Sequence, residues 1–380
     1  MGAWRGGLVA RILLAGGGTA GHANPLLATA EELLSRGHDV AALGTAEGLE
    51  AELVARAGID FYVVPKVPLP RGPSLDLLKL PVRMNTAVRA GTRAIDAIGA
   101  QAVVGFGGYV STPAYLAARR RKVAIVVHEG NASPGIANRL GARWAAAVAV
   151  TFEGTPLRGA QVTGLPMRLA ITELAARLAD GQTRTGLQAQ ARESWGWEAD
   201  APTLLITGGS TGAANLNAAT AGAVEHLVQH GIHVIHLTGR GKADDAERAR
   251  GNLPARHRDM YVIREYLHDM ETAFAAADAV VCRAGAGAVC EISALGLPAV
   301  YVPLPHGNGE QALNAGSAVD AGAATMIRDG DLNATSLELA AEPLVLDRKT
   351  QAAARAAAAT VAIVDGAARL ADMIERVVTA

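Results

Sequence analysis

The sequence predicts an α/β protein made of two nucleotide-binding-type, Rossmann-like domains facing each other across a cleft. Two glycine-rich loops carry that expectation: Gly16-Gly17-Gly18-Thr19-Ala20-Gly21-His22 and Gly208-Gly209-Ser210-Thr211-Gly212-Ala213, about half a chain apart. Each follows a short apolar run and opens a helical pattern, and strand and helix signals alternate after both. In such folds ligands gather where strands end and helices begin. Peptide N–H groups and the positive helix end converge there on negative charge or sugar hydroxyls.

Taken in order, Arg11-Ile12-Leu13-Leu14-Ala15 reads as a buried parallel strand. A helix through residues 25–34 follows, and Gly37-His38 ends it before a strand at 40–43. The alternation continues with a helix at 47–57, a strand at 61–64, a helix at 82–98, and strands at 102–106, 123–127 and 147–150. It implies a mostly parallel sheet with helices on both faces. The pattern closes around 162–166, so the first domain is expected to span 1–165. A polar stretch holding one helix follows, as a hinge over 166–202. The second series starts at Thr203-Leu204-Leu205-Ile206-Thr207 and defines a domain at 203–350. It comprises a helix at 215–230, strands at 234–237 and 261–263, and short elements at 270–277, 279–282, 287–295 and 299–302. A helical tail, 351–380, is broken near Val364-Asp365-Gly366.

At 380 residues and 50% hydrophobic, with mean hydropathy +0.20, the chain has material for more than one sizeable core. Thirty-five basic residues against 36 acidic give a net charge of −1, so no overall bias points to nucleic acid. Cys282 and Cys290 are too few for a disulfide framework and too far apart for a CxxC pair, which favours structural thiols in a reducing compartment. The stretch before the first strand is too short for a secretory signal, and no apolar run is long enough to cross a bilayer.

Neither glycine loop makes a good dinucleotide fingerprint, and no GxxxxGK[ST] loop occurs, which demotes dinucleotide-enzyme and NTPase readings. His22 falls at a helix N-terminus, where the dipole disfavours the imidazolium and keeps a neutral base for deprotonating a sugar hydroxyl; a capping or scaffold histidine is the plainer alternative. His128-Glu129-Gly130-Asn131 ends a strand, so its side chains can read an acceptor's hydroxyls or amides, or simply form a turn. Gly107-Gly108-Tyr109-Val110 is a third strand-end loop of this kind. In the second half, Arg283-Ala284-Gly285-Ala286-Gly287 precedes a helix bearing Glu291, whose carboxylate suits two ribose hydroxyls, with helix-end charge complementarity as the alternative. The polar loop 306–314 suits sugar hydroxyls, and His306 and Glu310 lack partners at metal-ligand spacings. Leucines among 75–80, with Arg83, Arg89, Arg93 and the run 119–122, suit either an anionic lipid surface or ordinary solvation.

In order, Gly17-Gly18-Thr19-Ala20-Gly21-His22, Gly107-Gly108-Tyr109-Val110, His128-Glu129-Gly130-Asn131, the loop at 208–213, Cys282-Arg283-Ala284-Gly285-Ala286, Glu291 and Gly309-Glu310-Gln311-Ala312-Leu313-Asn314 resemble the MurG family of peripheral membrane glycosyltransferases of peptidoglycan synthesis. The resemblance covers nearly the entire chain. It implies a GT-B fold and inverting transfer of N-acetylglucosamine from UDP-N-acetylglucosamine to undecaprenyl-pyrophosphoryl-N-acetylmuramoyl-pentapeptide, giving a β-1,4-linked disaccharide and UDP. It implies donor contacts from Thr19, Gly21, Arg168, Ser210, Gly212, Tyr266, Leu267, Glu291, Gln311 and Asn314. Acceptor contacts would come from His22, Tyr109, His128, Glu129 and Asn131, with His22 catalytic. It further implies no cofactor and no essential divalent metal, a place on the cytoplasmic face of an anionic membrane, partners among cell-wall synthesis proteins, and C-terminal helices bracing the first domain. The chain departs from the family pattern at Gly130, Leu165 and Thr211, where glutamine, asparagine and glutamine are usual. A GT-B enzyme acting on a soluble acceptor, an inactive sugar-nucleotide-binding scaffold and a sugar-nucleotide epimerase are the alternatives.

Overall fold

The structure is a computed structural model that describes residues 9–47, 54–67, 75–209, 211–305 and 309–380. The expected helix at 47–57 falls largely outside these residues, as do Ser210 and His306. The chain forms two compact units, residues 1–168 with 365–380, and residues 169–364.

The first unit is a seven-stranded sheet in the order β3-β2-β1-β4-β5-β6-β7. Its strands are β1 (Arg11–Ala15), β2 (Asp39–Gly44), β3 (Asp60–Val63), β4 (Ala102–Gly105), β5 (Ala124–Glu129), β6 (Ala147–Val150) and β7 (Ala160–Val162). All pair in parallel. The continuous apolar runs exist because helices cover both faces of the sheet, and Ile12, Leu13 and Leu14 are wholly buried. Each such leucine or isoleucine contributes roughly 1.5–3 kcal/mol of burial.

Helix α1 (Ala20–Ser35) follows β1, and α2 runs over Leu75–Ile98 with Pro81 inside it, longer than the expected 82–98. The third helix, α3 (Gly108–Arg121), begins in the Gly107-Gly108 motif and ends at Lys122 in the left-handed conformation, so the basic run 119–122 is a helix end. A short helix, α4 (Ile136–Gly141), follows β5.

The segment expected as a hinge with one helix instead holds two, α5 (Leu169–Leu178) and α6 (Gly181–Ser194), both in the second unit. That unit's sheet is also parallel, in the order β10-β9-β8-β11-β12-β13. Its strands are β8 (Thr203–Thr207), β9 (His233–Leu237), β10 (Tyr261–Arg264), β11 (Ala279–Cys282), β12 (Ala299–Tyr301) and β13 (Ala324–Met326). Its further helices are α7 (Ala214–Gln229), α8 (Asp244–Asn252), α9 (Met270–Ala276), α10 (Ala286–Ala294), α11 (Glu310–Asp320), α12 (Ala334–Leu346) and α13 (Arg348–Val361).

The tail divides at its break. Helix α13 stays with the second unit, whereas α14 (Gly366–Thr379) belongs to the first. Its Leu370, Ala371, Met373 and Ile374 enter the core beside Leu26, Ala30 and Leu33 of α1. Arg36 Nη1 donates to Asp372 Oδ1 at 2.6 Å, and His38 Nε2 lies 3.0 Å from Glu375 Oε1. No helix among the described residues is long and apolar enough to cross a membrane.

Candidate active site

In the first sheet β1 lies between β2 and β4, so strand order reverses beside it. This is the switch point where loops diverge and leave a crevice at the strand ends. The loops that open there are Gly16–Thr19 and Gly107-Gly108. Thr19 and Gly107 cap α1 and α3, and neither first turn holds an acidic residue, so both positive helix ends face the crevice uncompensated by one. His22 is the third residue of α1, with Nδ1 at 3.1 Å from Thr19 Oγ1.

The Gly107-Gly108 turn passes directly over that imidazole. Both glycines have positive φ, 99° and 76°. A Cβ on Gly107 would come to 3.0 Å from His22 Nε2, and one on Gly108 to 2.5 Å from the Gly17 carbonyl. The turn is held from below by Ser111, whose hydroxyl accepts from the Gly107 N–H at 2.8 Å. Exposed Tyr109 borders a hollow shared with Gly17, Gly18, Thr45, Glu47 and Lys66, and the Lys66 ammonium lies 5.6 Å from its ring centre. Thr19, Gly21, His22 and Tyr109 thus gather at one switch point.

His128 and Glu129 do not line that surface, contrary to the expectation that they meet an acceptor. His128 is buried, with Nε2 at 3.1 Å from the Gly164 carbonyl and its ring against Phe106. Burial pushes its pKa down to about 4, so it is a neutral interior tie. Glu129 is buried too: Oε1 accepts from the Asn131 N–H at 2.9 Å, and Oε2 from the Gly135 N–H and Asn138 Nδ2, both at 3.0 Å. It therefore shapes the turn that presents partly exposed Asn131. Asn138 also accepts from the Tyr115 hydroxyl at 2.7 Å. Sequence reasoning missed this asparagine, because nothing local links it to Glu129.

The second sheet repeats the design between β8 and β11. After β8, Gly212 has φ 67°, and a Cβ there would overlap the Thr238 carbonyl, so the loop packs backbone to backbone against the turn after β9. Lys242 Nζ donates to the Thr211 carbonyl at 2.7 Å. Beneath, Asn217 Nδ2 donates to the Thr238 carbonyl at 2.9 Å, and its Oδ1 lies 3.2 Å from Nε2 of buried His236. His236 Nδ1 meets the Tyr261 hydroxyl at 2.7 Å, and burial lowers that imidazole's pKa to about 4. These are rigid supports for the loop between β8 and α7.

Exposed Tyr266 and half-buried Leu267 follow β10, and the Arg240 guanidinium lies 5.0 Å from the Tyr266 ring centre. Arg240, unremarked in the sequence reading, places a planar cation beside the expected base site. Glu291 is partly buried in the second turn of α10, whose first turn has no acidic residue. That position removes the helix-end alternative, since the dipole acts within the first turn. Gln311 Oε1 accepts from the Leu304 N–H at 3.0 Å, which ties α11 to the loop after β12. Asn314, expected to touch donor sugar, is wholly buried with Nδ2 at 3.3 Å from the Ala284 carbonyl, so it supports the loop after β11 from within. That loop is also held by Arg283, paired with Asp329 at 2.5 Å, while Asn215 Nδ2 donates to Asp329 at 2.6 Å. Arg168 is half-buried at the end of the first unit. Burial raises both thiols, Cys282 and Cys290, to about 12, which makes them inert packing groups.

Two doubly wound units, each with a glycine loop at its switch point, define the GT-B class of glycosyltransferase fold. Family models for the glycosyltransferase family 28 N-terminal and C-terminal domains match residues 12–150 and 203–371. A relative from Nocardioides sp. is 47% identical over 96% of this chain and 97% of its own length, and one from Rhodococcus opacus is 48% identical over 94% and 96%. Both are named UDP-N-acetylglucosamine--N-acetylmuramyl-(pentapeptide) pyrophosphoryl-undecaprenol N-acetylglucosamine transferase. Among solved structures, Acinetobacter baumannii MurG is 26% identical and superimposes with a TM-score of 0.77, over 97% of this chain and 99% of that one. The chain belongs to glycosyltransferase family 28 and, within it, to the MurG family.

Proposed function

We propose that this protein transfers N-acetylglucosamine from UDP-N-acetylglucosamine to undecaprenyl-pyrophosphoryl-N-acetylmuramoyl-pentapeptide, producing the lipid-linked disaccharide and UDP. The observation that carries this reading is near-full-length identity of 47–48% to relatives named for that reaction. The first unit takes the acceptor at the His22 crevice, with Tyr109 and Asn131 at its edge. The second takes the donor: Glu291 on the ribose hydroxyls, the Tyr266-Leu267 segment and Arg240 beside uracil, Ser210 and Gly212 on the diphosphate, and Gln311 near the sugar.

In the transfer step the acceptor's C4 oxygen attacks the anomeric carbon opposite the departing UDP. His22 accepts the hydroxyl proton, the new glycosidic bond forms, and the C1–O bond to the diphosphate breaks with inversion. Helix-end N–H groups, with Thr19, Gly21 and Arg168, stabilise the negative charge that develops on the leaving group, so no divalent metal is needed for chemistry. His128, Glu129 and Asn314 act as positioning residues beneath these groups.

Membrane association belongs to the same proposal. Lys79, Arg83, Thr86, Arg89 and Arg93 recur at helical spacing along α2, and the arginines and Lys79 are exposed, as is Val82. Such a stripe suits the cytoplasmic face of an anionic bilayer, where the acceptor lipid and other cell-wall synthesis proteins reside.

Purified protein given donor and lipid-linked acceptor should release UDP and form the disaccharide lipid, by mass, with or without EDTA. UDP binding without that product would move the reading to a soluble acceptor or a binding role, and loss of product in EDTA would overturn the metal-independent step. Replacing Glu291 with alanine should raise the donor KM by about tenfold or more with a smaller effect on kcat, the size of a lost charged hydrogen bond. An unchanged donor dependence would remove Glu291 from the ribose.

A further inference from the structure

Among the described residues, one cluster of metal-ligating side chains lies outside both crevices. His226 and His230, one turn apart at the C-terminal end of α7, meet Glu342 of α12, and one ligand atom from each lies within 4.8 Å of the others. We propose that these three residues form a binding site for a first-row transition-metal dication, Zn²⁺ or Ni²⁺, that clamps α7 to α12.

Two features of the geometry prepare the site. His230 Nδ1 lies 2.9 Å from the His226 carbonyl, and donation to that oxygen puts the His230 lone pair on Nε2, the tautomer a metal needs. His226 Nε2 already faces Glu342 Oε2 at 3.0 Å, so an ion between them replaces a shared proton. Two imidazole nitrogens and a carboxylate oxygen are a donor set that suits Zn²⁺ and its neighbours better than Mg²⁺ or Ca²⁺. Ligand atoms about 2 Å from a common zinc lie about 3.3 Å apart, so metal binding requires these atoms, within 4.8 Å of one another, to draw closer. The side chains of His226 and Glu342 are 40% and 31% exposed, so water has access to complete the coordination.

The helices themselves are a firm platform. Leu216, Ala223, Val224 and Leu227 of α7 and Leu337, Ala341 and Leu344 of α12 share one core, and Gly222 brings the two helices close at Ala334. At 1.5 Å per residue, His226 stands about 18 Å along α7 from the end that carries the glycine loop. The ion therefore acts on stability and not on the transfer reaction.

The test is competition of the full-length protein with a chromophoric chelator for Zn²⁺ and for Ni²⁺, repeated with His230→Ala and Glu342→Gln. One ion per chain is expected, with at least about tenfold weaker binding in each variant, and a rise in thermal midpoint with Zn²⁺ that His230→Ala abolishes. Both substituted positions are accessible to solvent, and far-UV circular dichroism identifies any variant that fails to fold. Binding of equal strength in the parent and both folded variants, or no stoichiometric binding by the parent, would overturn the assignment.

Discussion

Replacing His22 with alanine should lower turnover by about 10²–10⁴-fold, the usual worth of a positioned general base, and leave UDP affinity nearly unchanged. The geometry supports this split. Thr19 Oγ1, 3.1 Å from Nδ1, can accept that nitrogen's proton and leave the lone pair on Nε2, beside the Gly107 turn. Donor recognition is assigned chiefly to the second unit, and the contacts from Thr19, Gly21 and Arg168 survive removal of the His22 ring. Steady-state rates with the lipid acceptor, set against calorimetric UDP binding, separate the two effects. Turnover equal to that of the parent would take proton transfer away from His22. Thr19→Val should produce a smaller fall in kcat by loosening the tautomer without removing the base.

Replacing Asp278 with alanine should destabilise the second unit by about 3–5 kcal/mol, the cost of leaving a buried partner charge uncompensated. Asp278 precedes β11, at the end of the sheet opposite the glycine loops. Its Oδ2 accepts from Arg192 Nη2 at 2.7 Å and from the Thr203 N–H at 2.9 Å. Arg192 is 7% exposed, and Arg355 Nη2 approaches the other carboxylate oxygen at 3.7 Å. Arg184, whose pKa burial and the neighbouring charge of Arg355 lower to about 10, adds a third cation nearby. Without the carboxylate, these arginines would repel one another in a poorly hydrated pocket, and strands β8 and β11 would lose a shared anchor. Urea unfolding followed by the fluorescence of Trp195 and Trp197 should show an earlier transition for the second unit. A midpoint unchanged from the parent would mean that the cluster is hydrated and weak. Asp278→Asn keeps a hydrogen-bond acceptor and should fall between the two.

The strand runs and the glycine loops were legible because each reflects a local rule. Residues 12–15 must be apolar throughout to be covered on both faces, and Gly107, Gly108 and Gly212 hold backbone conformations or close approaches that a side chain would obstruct. The motif containing His128 and Glu129 was legible as a strand end, but its orientation was not. Whether those side chains meet solvent depends on Gly164, 36 residues away from His128, and on Asn138, nine away from Glu129. Asn314 misled in the same manner, since its partner at Ala284 lies 30 residues upstream. Arg283 was read only as part of a loop motif, while its carboxylate partner, Asp329, carried no local signal.

Residue order alone therefore determined two parallel α/β units, their phosphate-type loops and the family to which the chain belongs, because periodicity and glycine placement act within a few residues. Tertiary structure alone decided which polar motif residues face the crevices and which became buried ties, and it left α13 with the second unit while α14 joined the first through Arg36 and Asp372, 336 residues apart. It also drew His226, His230 and Glu342 together. Burial and pairing are properties of neighbours in space, and they arise only once the helices have packed on their sheets.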